Sequence, residues 1–339
     1  MRSIMLCRAA YLLIYADLAR EVGTPVTREL RRAGLPTTLD EFPDSYIPVL
    51  QAMNFVHEVE SREGINDIGL LAAQRLTCDR LSPCLTGLTS SASTLYDLFC
   101  RFAMMIRLEN TSAHASMCRE KDLVRITIRI LGNVEPKKQR YVEWLQAMLP
   151  IQLIRHVVGA SWSPVELTLR SRFDPGPEVY DTFPETRILV GSRSTSILVP
   201  ATLMTKAVRH NDDTTPTTEK MPAFSRTLSQ RKLDFRESLM LVLRSYVRES
   251  HLDVGLAAEI AGTSVRTLQR RLGTLGMNYS HLVQQVRFDA ATEMLADPGQ
   301  RVMDIARAVG YDDQAHFTRA FKRIAGISPT EYRRALRST

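Results

Sequence analysis

Residues 256–272 and 305–321 carry one pattern twice: the first segment reads Leu-Ala-Ala-Glu-Ile-Ala-Gly-Thr-Ser-Val-Arg-Thr-Leu-Gln-Arg-Arg-Leu, and the second reads Ile-Ala-Arg-Ala-Val-Gly-Tyr-Asp-Asp-Gln-Ala-His-Phe-Thr-Arg-Ala-Phe. Small, apolar and arginine positions coincide at a spacing of 49 residues, as for Leu268 with Phe317 and Arg270 with Arg319. A helix, a turn near a glycine and a second amphipathic helix are typical of a helix-turn-helix. We therefore predict two copies of that motif, at residues 253–274 and 302–325.

The second helix of each copy is predicted to have one apolar and one polar face. Apolar residues recur at the spacing of a buried helix face at Val265, Leu268 and Leu272, and again at Phe317, Phe321 and Ile324. The opposite stripe of the first copy holds Arg266, Gln269 and Arg270, and arginine and glutamine are the side chains that pair with guanine and adenine edges. The candidate DNA-contacting residues are Ser264, Arg266, Thr267, Gln269, Arg270, Gln314, Ala315, His316, Thr318, Arg319 and Lys322.

The two copies are not equivalent as readers of DNA. Ala315 stands where the first copy has Arg266, so the two helices are expected to prefer different bases. Ala315 and Thr318 suit a thymine methyl group, whereas Arg319 suits guanine or a phosphate.

A single long helix is predicted to connect the copies. Residues 279–296 would span roughly 27 Å at 1.5 Å per residue. Two reading helices in successive major grooves of straight DNA lie about 34 Å apart, so we expect some bending of the duplex.

Charge is concentrated at the same end of the chain. Residues 226–339 hold 18 lysines and arginines against 12 acidic residues, a net charge of +6, whereas residues 1–225 carry only +1. A basic end on a nearly neutral body favours contact with phosphates. The five cysteines show no metal-binding spacing, and no apolar stretch approaches the roughly 20 residues of a membrane helix, so we expect a cytoplasmic protein without cofactor or metal.

The chain is predicted to form two domains. Residues 1–209 alternate helical and strand patterns and indicate an α+β domain, the polar segment 210–223 reads as a linker, and residues 224–339 are helical throughout. The strands expected in the first domain are 123–130, 165–173, 187–190 and 196–199. Its helices are expected at 9–22, 25–33, 46–61, 65–76, 95–108, 139–158 (with a kink or break at Pro150) and 176–183. The second domain is expected to hold helices at 234–248, 254–261, 265–275, 279–296, 301–309, 313–325 and 328–336.

The helical region resembles a known family. Residues 304–333 contain Ile-Ala, Gly-Tyr, a Phe-Thr-Arg-Ala-Phe-Lys helix and then Gly-Ile-Ser-Pro-Thr-Glu-Tyr-Arg, which is similar to the signature of the AraC/XylS family of bacterial transcription regulators. The resemblance covers residues 234–336. It implies DNA contact by Arg266, Gln269 and Arg270 and by Gln314, Thr318 and Arg319.

The first half resembles the regulatory domain of the OruR/VirS-type subgroup of that family. The resemblance rests on Ala33-Gly-Leu-Pro36, Phe42-Pro-Asp44, Ile47-Pro48, Trp162-Ser-Pro164 and Val179-Tyr-x-x-Phe-Pro, where Phe183-Pro184 replaces the usual Phe-Gly. It implies a domain that senses a small molecule and forms dimers.

These features predict a transcription regulator, with activation as the expected mode, that binds double-stranded promoter DNA, a small-molecule effector, a second copy of itself and RNA polymerase. Two alternatives stay open: a constitutive regulator whose first domain only dimerises, and an enzyme fused to a DNA-binding module. No catalytic constellation stands out, and carboxylates such as Glu109 and Glu143 are predicted to be exposed or ion-paired.

Overall fold

The computed structural model describes residues 3–77, 80, 85, 87–88, 91–132, 136–172, 175–208, 233–249 and 252–336. The chain divides into two compact units. The mixed unit comprises residues 5–33 and 49–232, and the helical unit comprises residues 1–4, 34–48 and 233–339. The predicted linker at 210–223 lies outside the described residues.

The described residues confirm the predicted fold class, an α+β part followed by helices. The helices are α1 (Ala9–Glu21), α2 (Val26–Arg32), α3 (Val49–Glu63), α4 (Ile68–Gln74), α5 (Leu95–Met105), α6 (Pro136–Val158), α7 (Pro177–Thr182), α8 (Phe235–Tyr246), α9 (Val254–Ile260), α10 (Val265–Thr274), α11 (Tyr279–Leu295), α12 (Val302–Ala308), α13 (Gln314–Ala325) and α14 (Pro329–Leu336). The strands are β1 (Leu6–Arg8), β2 (Tyr46–Pro48), β3 (Ala113–Glu120), β4 (Leu123–Ile130), β5 (Glu166–Thr168), β6 (Arg187–Leu189) and β7 (Thr195–Pro200).

A five-stranded sheet of order β3-β4-β7-β5-β6 is the centre of the mixed unit. All its neighbours are antiparallel except β5 and β6, which run parallel. Ile126, Ile197 and Leu167 pair across three adjacent strands and are buried, because every second side chain of a strand points to the same face. Helix α6 packs against β4 and β7 and covers this apolar face.

Several predictions for the mixed unit need correction. Strand β3 was not predicted, since Ser116, Arg119 and Glu120 interrupt its apolar pattern; its full-length pairing with β4 determines it. The strand predicted at 165–173 is confined to Glu166–Thr168, and the helix predicted from residue 46 begins at Val49 because Tyr46–Pro48 is a strand. Helix α6 continues through Pro150 without a break.

Buried carboxylates also differ from expectation. Glu109 is ion-paired as predicted, with its Oε2 atom 3.0 Å from Arg8 Nη1, but the pair is buried. Glu143 is neither exposed nor ion-paired within the described residues: it is buried and accepts the backbone N–H of Ser171 on both carboxylate oxygens. Burial raises the pKa of Glu143. The hydrogen bonds from the N–H of Ser171 act in the opposite direction, because they stabilise the charged carboxylate.

The helical unit is a succession of short helices with well-formed starts. Asp234 and Glu237 form a capping box before α8, and Asp253 and Asn278 cap α9 and α11 by accepting backbone N–H groups. Such side chains satisfy N–H groups that have no partner inside the helix. The helix boundaries predicted from residue 234 onward therefore agree with the structure to within two residues.

Residues 34–48 pack within the helical unit although they come early in the chain. The Oγ atom of Ser245 donates to the Tyr46 carbonyl at 2.8 Å, and the Oγ1 atom of Thr37 donates to Glu249 Oε1 at 2.9 Å. The Arg248 guanidinium lies 3.8 Å from the centre of the Phe42 ring. This segment thus adds an apolar and hydrogen-bonded cover to α8 and to the turn that follows it.

Candidate nucleic-acid interface

The two predicted reading helices, α10 and α13, begin at matching capping residues. The Ser264 hydroxyl accepts the Thr267 N–H at 3.3 Å and donates to the Thr267 hydroxyl at 3.0 Å. Asp313, 49 residues later, accepts the N–H groups of Ala315 at 2.7 Å and His316 at 3.2 Å. These N–H groups, that of Ala315 above all, hold the pKa of Asp313 below its usual range.

The turns that precede these helices differ in length. Helix α9 ends at Ile260 and α12 ends at Ala308, so four residues lead to α10 and five lead to α13. Each turn contains a glycine in the left-handed region, Gly262 at a φ of 60° and Gly310 at 79°. Only the second is crowded: a Cβ atom on Gly310 would lie 3.1 Å from Arg287 Nη2, whereas one on Gly262 would meet nothing within 4 Å.

The predicted inward faces are largely confirmed. Leu268 and Leu272 are buried, and so are Phe317 and Phe321, whereas Val265 is half-buried. Ile324 is a wrong prediction, because its side chain is 39 % exposed. It stands in the last turn of α13, one residue before the helix ends, and the following helix covers Phe321 through Tyr332 instead.

An aromatic cluster holds the second copy together. Phe321 lies 4.8 Å from Phe288, 5.7 Å from Phe317 and 5.4 Å from Tyr332, measured between ring centres. Tyr311 packs on Phe317 at 5.6 Å. Four elements, namely α11, the turn before α13, α13 itself and α14, thus meet around two phenylalanines of the reading helix.

In the first copy the candidate base-reading side chains are available to solvent. Arg266, Gln269 and Arg270 are exposed on α10, on the side opposite Leu268 and Leu272. Ser264 is exposed as well, and Thr267 is half-buried, but their hydroxyl groups are bonded to each other at the start of the helix.

The arginine next to this stripe has a different environment. The Arg271 guanidinium lies 5.3 Å from the centre of the Phe235 ring, on a neighbouring helix of the same unit, and the residue is half-buried. Arg270 and Arg271 are therefore adjacent in sequence and carry the same charge, yet only Arg270 is exposed.

In the second copy the candidate residues cover the start and the outer face of α13. Gln314, Ala315 and His316 are exposed in the first turn, and Arg319 and Lys322 are exposed further along. Thr318 is half-buried. The exposed charges of Arg319 and Lys322 make this face positive, so that it suits an anionic partner.

Helix α11 contacts both copies. At its start the Tyr279 hydroxyl donates to the Asp253 carbonyl at 2.9 Å, next to the first helix of the first copy. Further along, Phe288 packs on Phe321, and the Arg287 guanidinium lies 5.0 Å from the centre of the Tyr311 ring. The helix has 17 residues, close to the predicted length.

No pattern in the sequence of the mixed unit indicates a ligand-contacting residue. The structure contains a cavity there, lined by side chains of α1, α3, β4 and α6 together with residues between them. These elements are far apart in sequence, so no local motif could have indicated them. Within the described residues, no helix is both long enough and apolar enough to span a membrane.

Comparison with protein families matches each part of the chain to a known type of domain. Residues 257–335 match a helix-turn-helix domain, and residues 23–208 match the amino-terminal arabinose-binding domain of the AraC transcription regulator. The fold and the paired motifs define a helix-turn-helix DNA-binding transcription regulator. The chain belongs to the AraC family, as the resemblance of its sequence predicts.

Curated relatives match over shorter stretches. The ornithine utilization regulator of Pseudomonas aeruginosa is 32 % identical over 106 residues, 30 % of this chain and 31 % of that protein. The transcriptional activator RhaR of Yersinia pseudotuberculosis is 39 % identical over 58 residues, 17 % of this chain and 20 % of that protein. The crystal structure of the regulator CdpR from Pseudomonas aeruginosa covers 91 % of this chain and 97 % of that chain, at 18 % identity and a TM-score of 0.42. The match to this chain spans about a third or less of the length of the ornithine utilization regulator and of RhaR.

Proposed function

We propose that this protein is a cytoplasmic, sequence-specific regulator that inserts α10 and α13 into two adjacent major grooves of promoter DNA. In this proposal residues 224–339 bind DNA and residues 1–209 sense an effector. The observation that carries it is the matched burial of the two helices. Leu268 and Leu272, like Phe317 and Phe321, fix one face against the protein, so that the polar stripe with its arginines stays in solvent.

The roles of the side chains follow from their chemistry. In the first copy Arg266 and Arg270 pair with guanine and Gln269 with adenine, since their donors and acceptors match those base edges. Ser264 and Thr267 contact phosphates from the start of α10, where the helix dipole favours an anion.

The second copy reads a different sequence. Ala315 and Thr318 contact a thymine methyl group, Arg319 reads guanine, and Lys322 contacts a phosphate. Gln314 and His316 reach the groove edge from the first turn of α13.

The connector limits the geometry of the complex. Seventeen helical residues span about 26 Å at 1.5 Å per residue, less than the roughly 34 Å between successive major-groove sites on straight DNA. We therefore infer that the operator bends toward the protein, with flexible pyrimidine–purine steps between its two half-motifs.

This function is tested by a selection experiment, in which the full chain is mixed with a random library of duplexes and the tightly bound ones are recovered. The expected result is two distinct short motifs about 10 base pairs apart. Recovery of a single motif, or of sequences without preference, would contradict the proposal.

We further propose that a small molecule bound in the mixed unit controls operator affinity. Such control requires that the ligand bind the active and inactive states with different affinity. Operator titrations with and without candidate effectors test it. If no bound compound changes operator affinity while the chain still dimerises, the first part serves dimerisation alone, which is the alternative function.

Dimerisation is proposed on helix α5. Tyr96 and Met104 are 57 % and 60 % exposed and lie two helical turns apart, with the half-buried Cys100 between them, so that they form one apolar stripe on the helix surface. Tyr96→Glu and Met104→Glu should shift the full chain from dimer to monomer in analytical ultracentrifugation. A dimer that persists in both variants would place the interface elsewhere.

Activation through contact with RNA polymerase completes the proposal and is supported by the name of the activator RhaR. Transcription in a purified system from the selected operator should rise when the protein is added. A fall in transcription would assign repression instead.

A further inference from the structure

The mixed unit contains a cavity whose exposed wall is almost entirely apolar. The cavity has a volume of about 100 Å³, and the space reaches about 730 Å³ when the solvent at its mouth is included. Its apolar wall includes Leu12, Met53, Val56, Ile128 and Leu149, which come from α1, α3, β4 and α6. Protein interiors contain few voids larger than a water molecule, so an apolar space of about 100 Å³ that opens to solvent is a candidate site for a small ligand.

Most hydrogen-bonding groups at the wall have partners inside the protein. The Tyr15 hydroxyl donates to the Tyr141 carbonyl, the Tyr141 hydroxyl donates to Glu60 Oε2 at 2.7 Å, and Asn110 Oδ1 accepts the Ser112 N–H. The hydrogen bonds of these groups are formed within the protein, so the groups do not require a polar ligand.

One corner of the cavity is different. Glu109 lines it, and its charge is balanced by the buried Arg8 guanidinium at 3.0 Å. The hydroxyl oxygen of Tyr11 is buried at the same corner and faces Glu109, but it forms no hydrogen bond of normal geometry within the described residues. Burial, and then the nearby Glu109 carboxylate, raise the pKa of Tyr11, which keeps the phenol protonated and able to donate. Burial also raises the pKa of Cys7 at the wall to about 12, so this thiol stays neutral.

We propose that this cavity binds an uncharged, largely apolar molecule that carries one hydroxyl or carbonyl group, with that group hydrogen-bonded to Tyr11. The inference rests on the proposed effector control and specifies the chemical class of the effector.

The same wall disfavours other classes of ligand. A sugar would lose water from several hydroxyl groups and find few partners, and each polar group buried without a hydrogen bond is costly. A carboxylate would bring a second negative charge close to Glu109, and an amino acid would bury two charges. An apolar cavity, by contrast, readily takes up apolar molecules.

Two matched sets of probes test the ligand class on the full chain. 2-Naphthol and 1-decanol carry one hydroxyl group, and 2-naphthoate and decanoate are their charged counterparts; L-arabinose and L-ornithine represent polar ligands. The proposal expects at least one alcohol to raise the melting temperature and to give saturable binding by isothermal titration, tighter by tenfold or more than its carboxylate. Failure of both alcohols to bind, tighter binding of a carboxylate, or binding of arabinose or ornithine in this cavity would overturn it.

Variants locate the binding and test the role of Tyr11. Tyr11→Phe should weaken 2-naphthol roughly 3- to 10-fold, the effect of one hydrogen bond, and leave naphthalene unchanged. Tyr15→Phe is the matched control, because the Tyr15 hydroxyl is used within the protein, and it should preserve the preference for 2-naphthol over naphthalene. Ala52→Met should fill the cavity, block both ligands and raise the melting temperature of the free protein. Unchanged binding in both Tyr11→Phe and Ala52→Met would contradict the proposed site.

Failure of this inference can be distinguished from failure of effector control. If an alcohol binds in the cavity but no compound changes operator affinity, the ligand class stands and control fails. If arabinose or ornithine changes operator affinity while neither alcohol binds, control stands and the ligand class is wrong.

Discussion

The hydroxyl group of Tyr246 donates a hydrogen bond to the carbonyl oxygen of Gly34 at 2.7 Å, although 212 residues separate the two in sequence. Tyr246 ends helix α8 and is buried, and burial raises its pKa. The bond ties the segment 34–48 to the first helix of the helical unit. Several of the stretches that resemble the regulatory subgroup, such as Phe42-Pro-Asp44, lie in this segment.

Tyr246→Phe should lower the free energy of unfolding by about 1–3 kcal/mol, because it leaves the Gly34 carbonyl without its partner. Chemical denaturation of the full chain measures this. Tyr332→Phe is the control, since the Tyr332 hydroxyl forms no hydrogen bond within the described residues, and its stability should match the wild type. Equal stability of all three proteins would show that the contact contributes nothing.

Gly310→Ala should destabilise the second copy more than Gly262→Ala destabilises the first. Both substitutions force a left-handed backbone on alanine, at a cost of about 1–2 kcal/mol. The Gly310 variant also brings a Cβ atom to 3.1 Å from Arg287 Nη2 and 3.3 Å from the Val247 carbonyl, which adds roughly 1–3 kcal/mol of crowding. Thermal unfolding compares the two, and an equal loss in both would mean that Arg287 and its neighbours yield freely.

Phe321→Ala should cost about 3–5 kcal/mol, because it removes the ring that Phe288, Phe317 and Tyr332 pack against. Operator binding through the second half-motif should be lost with it. Leu272→Ala is its counterpart in the first copy and should affect the first half-motif instead. Denaturation and footprinting of each variant test this, and a Phe321 variant that protects both half-motifs would contradict it.

Asp289→Asn should stabilise the protein at neutral pH. Burial raises the pKa of Asp289 in the folded chain, so the ionised carboxylate destabilises the folded state at neutral pH. Asparagine is neutral and can keep the bond from Gln285 Nε2 at 2.8 Å. We expect a small gain in the free energy of unfolding, because the site is only half-buried. The gain should shrink as the pH falls through the folded-state pKa, because the wild-type carboxyl then becomes neutral.

Melting temperatures at pH 7 and pH 4 measure the difference. Asp312→Asn, at an exposed position, is the control and should show no such gain. A lower melting temperature for Asp289→Asn at pH 7 would show that the nearby Arg244 and Arg236 outweigh burial.

The helical unit could be predicted almost completely from its sequence. Its helices have periodic apolar faces and capping residues such as Asp253, Asn278 and Asp313, which are local signals. Ile324 continues the same period but lies in the last turn of α13 and is exposed, so periodicity alone misplaced it. The packing of residues 34–48 in this unit depends on contacts far apart in sequence, which no local pattern reveals.

The mixed unit was predicted less well for the same reason. Strand β4 alternates strongly, whereas its partner β3 is mostly polar after Ala115 and forms because β4 lies beside it. The cavity depends on residues as distant as Tyr11, Met53 and Leu149. Sequence alone therefore indicated the reading helices and left the ligand site unassigned.

The most direct test of two-groove recognition is footprinting of the full chain with three variants, Arg270→Ala, Arg319→Ala and Arg271→Ala, on the selected operator and on operators altered in either half. If both helices read DNA, Arg270→Ala loses about 1–3 kcal/mol of binding and its discrimination in one half-motif, and Arg319→Ala does so in the other. Arg271→Ala, which removes the same charge beside Phe235, should keep discrimination in both. Wild-type binding by the first two variants, or loss of the same half-motif in both, would contradict the account.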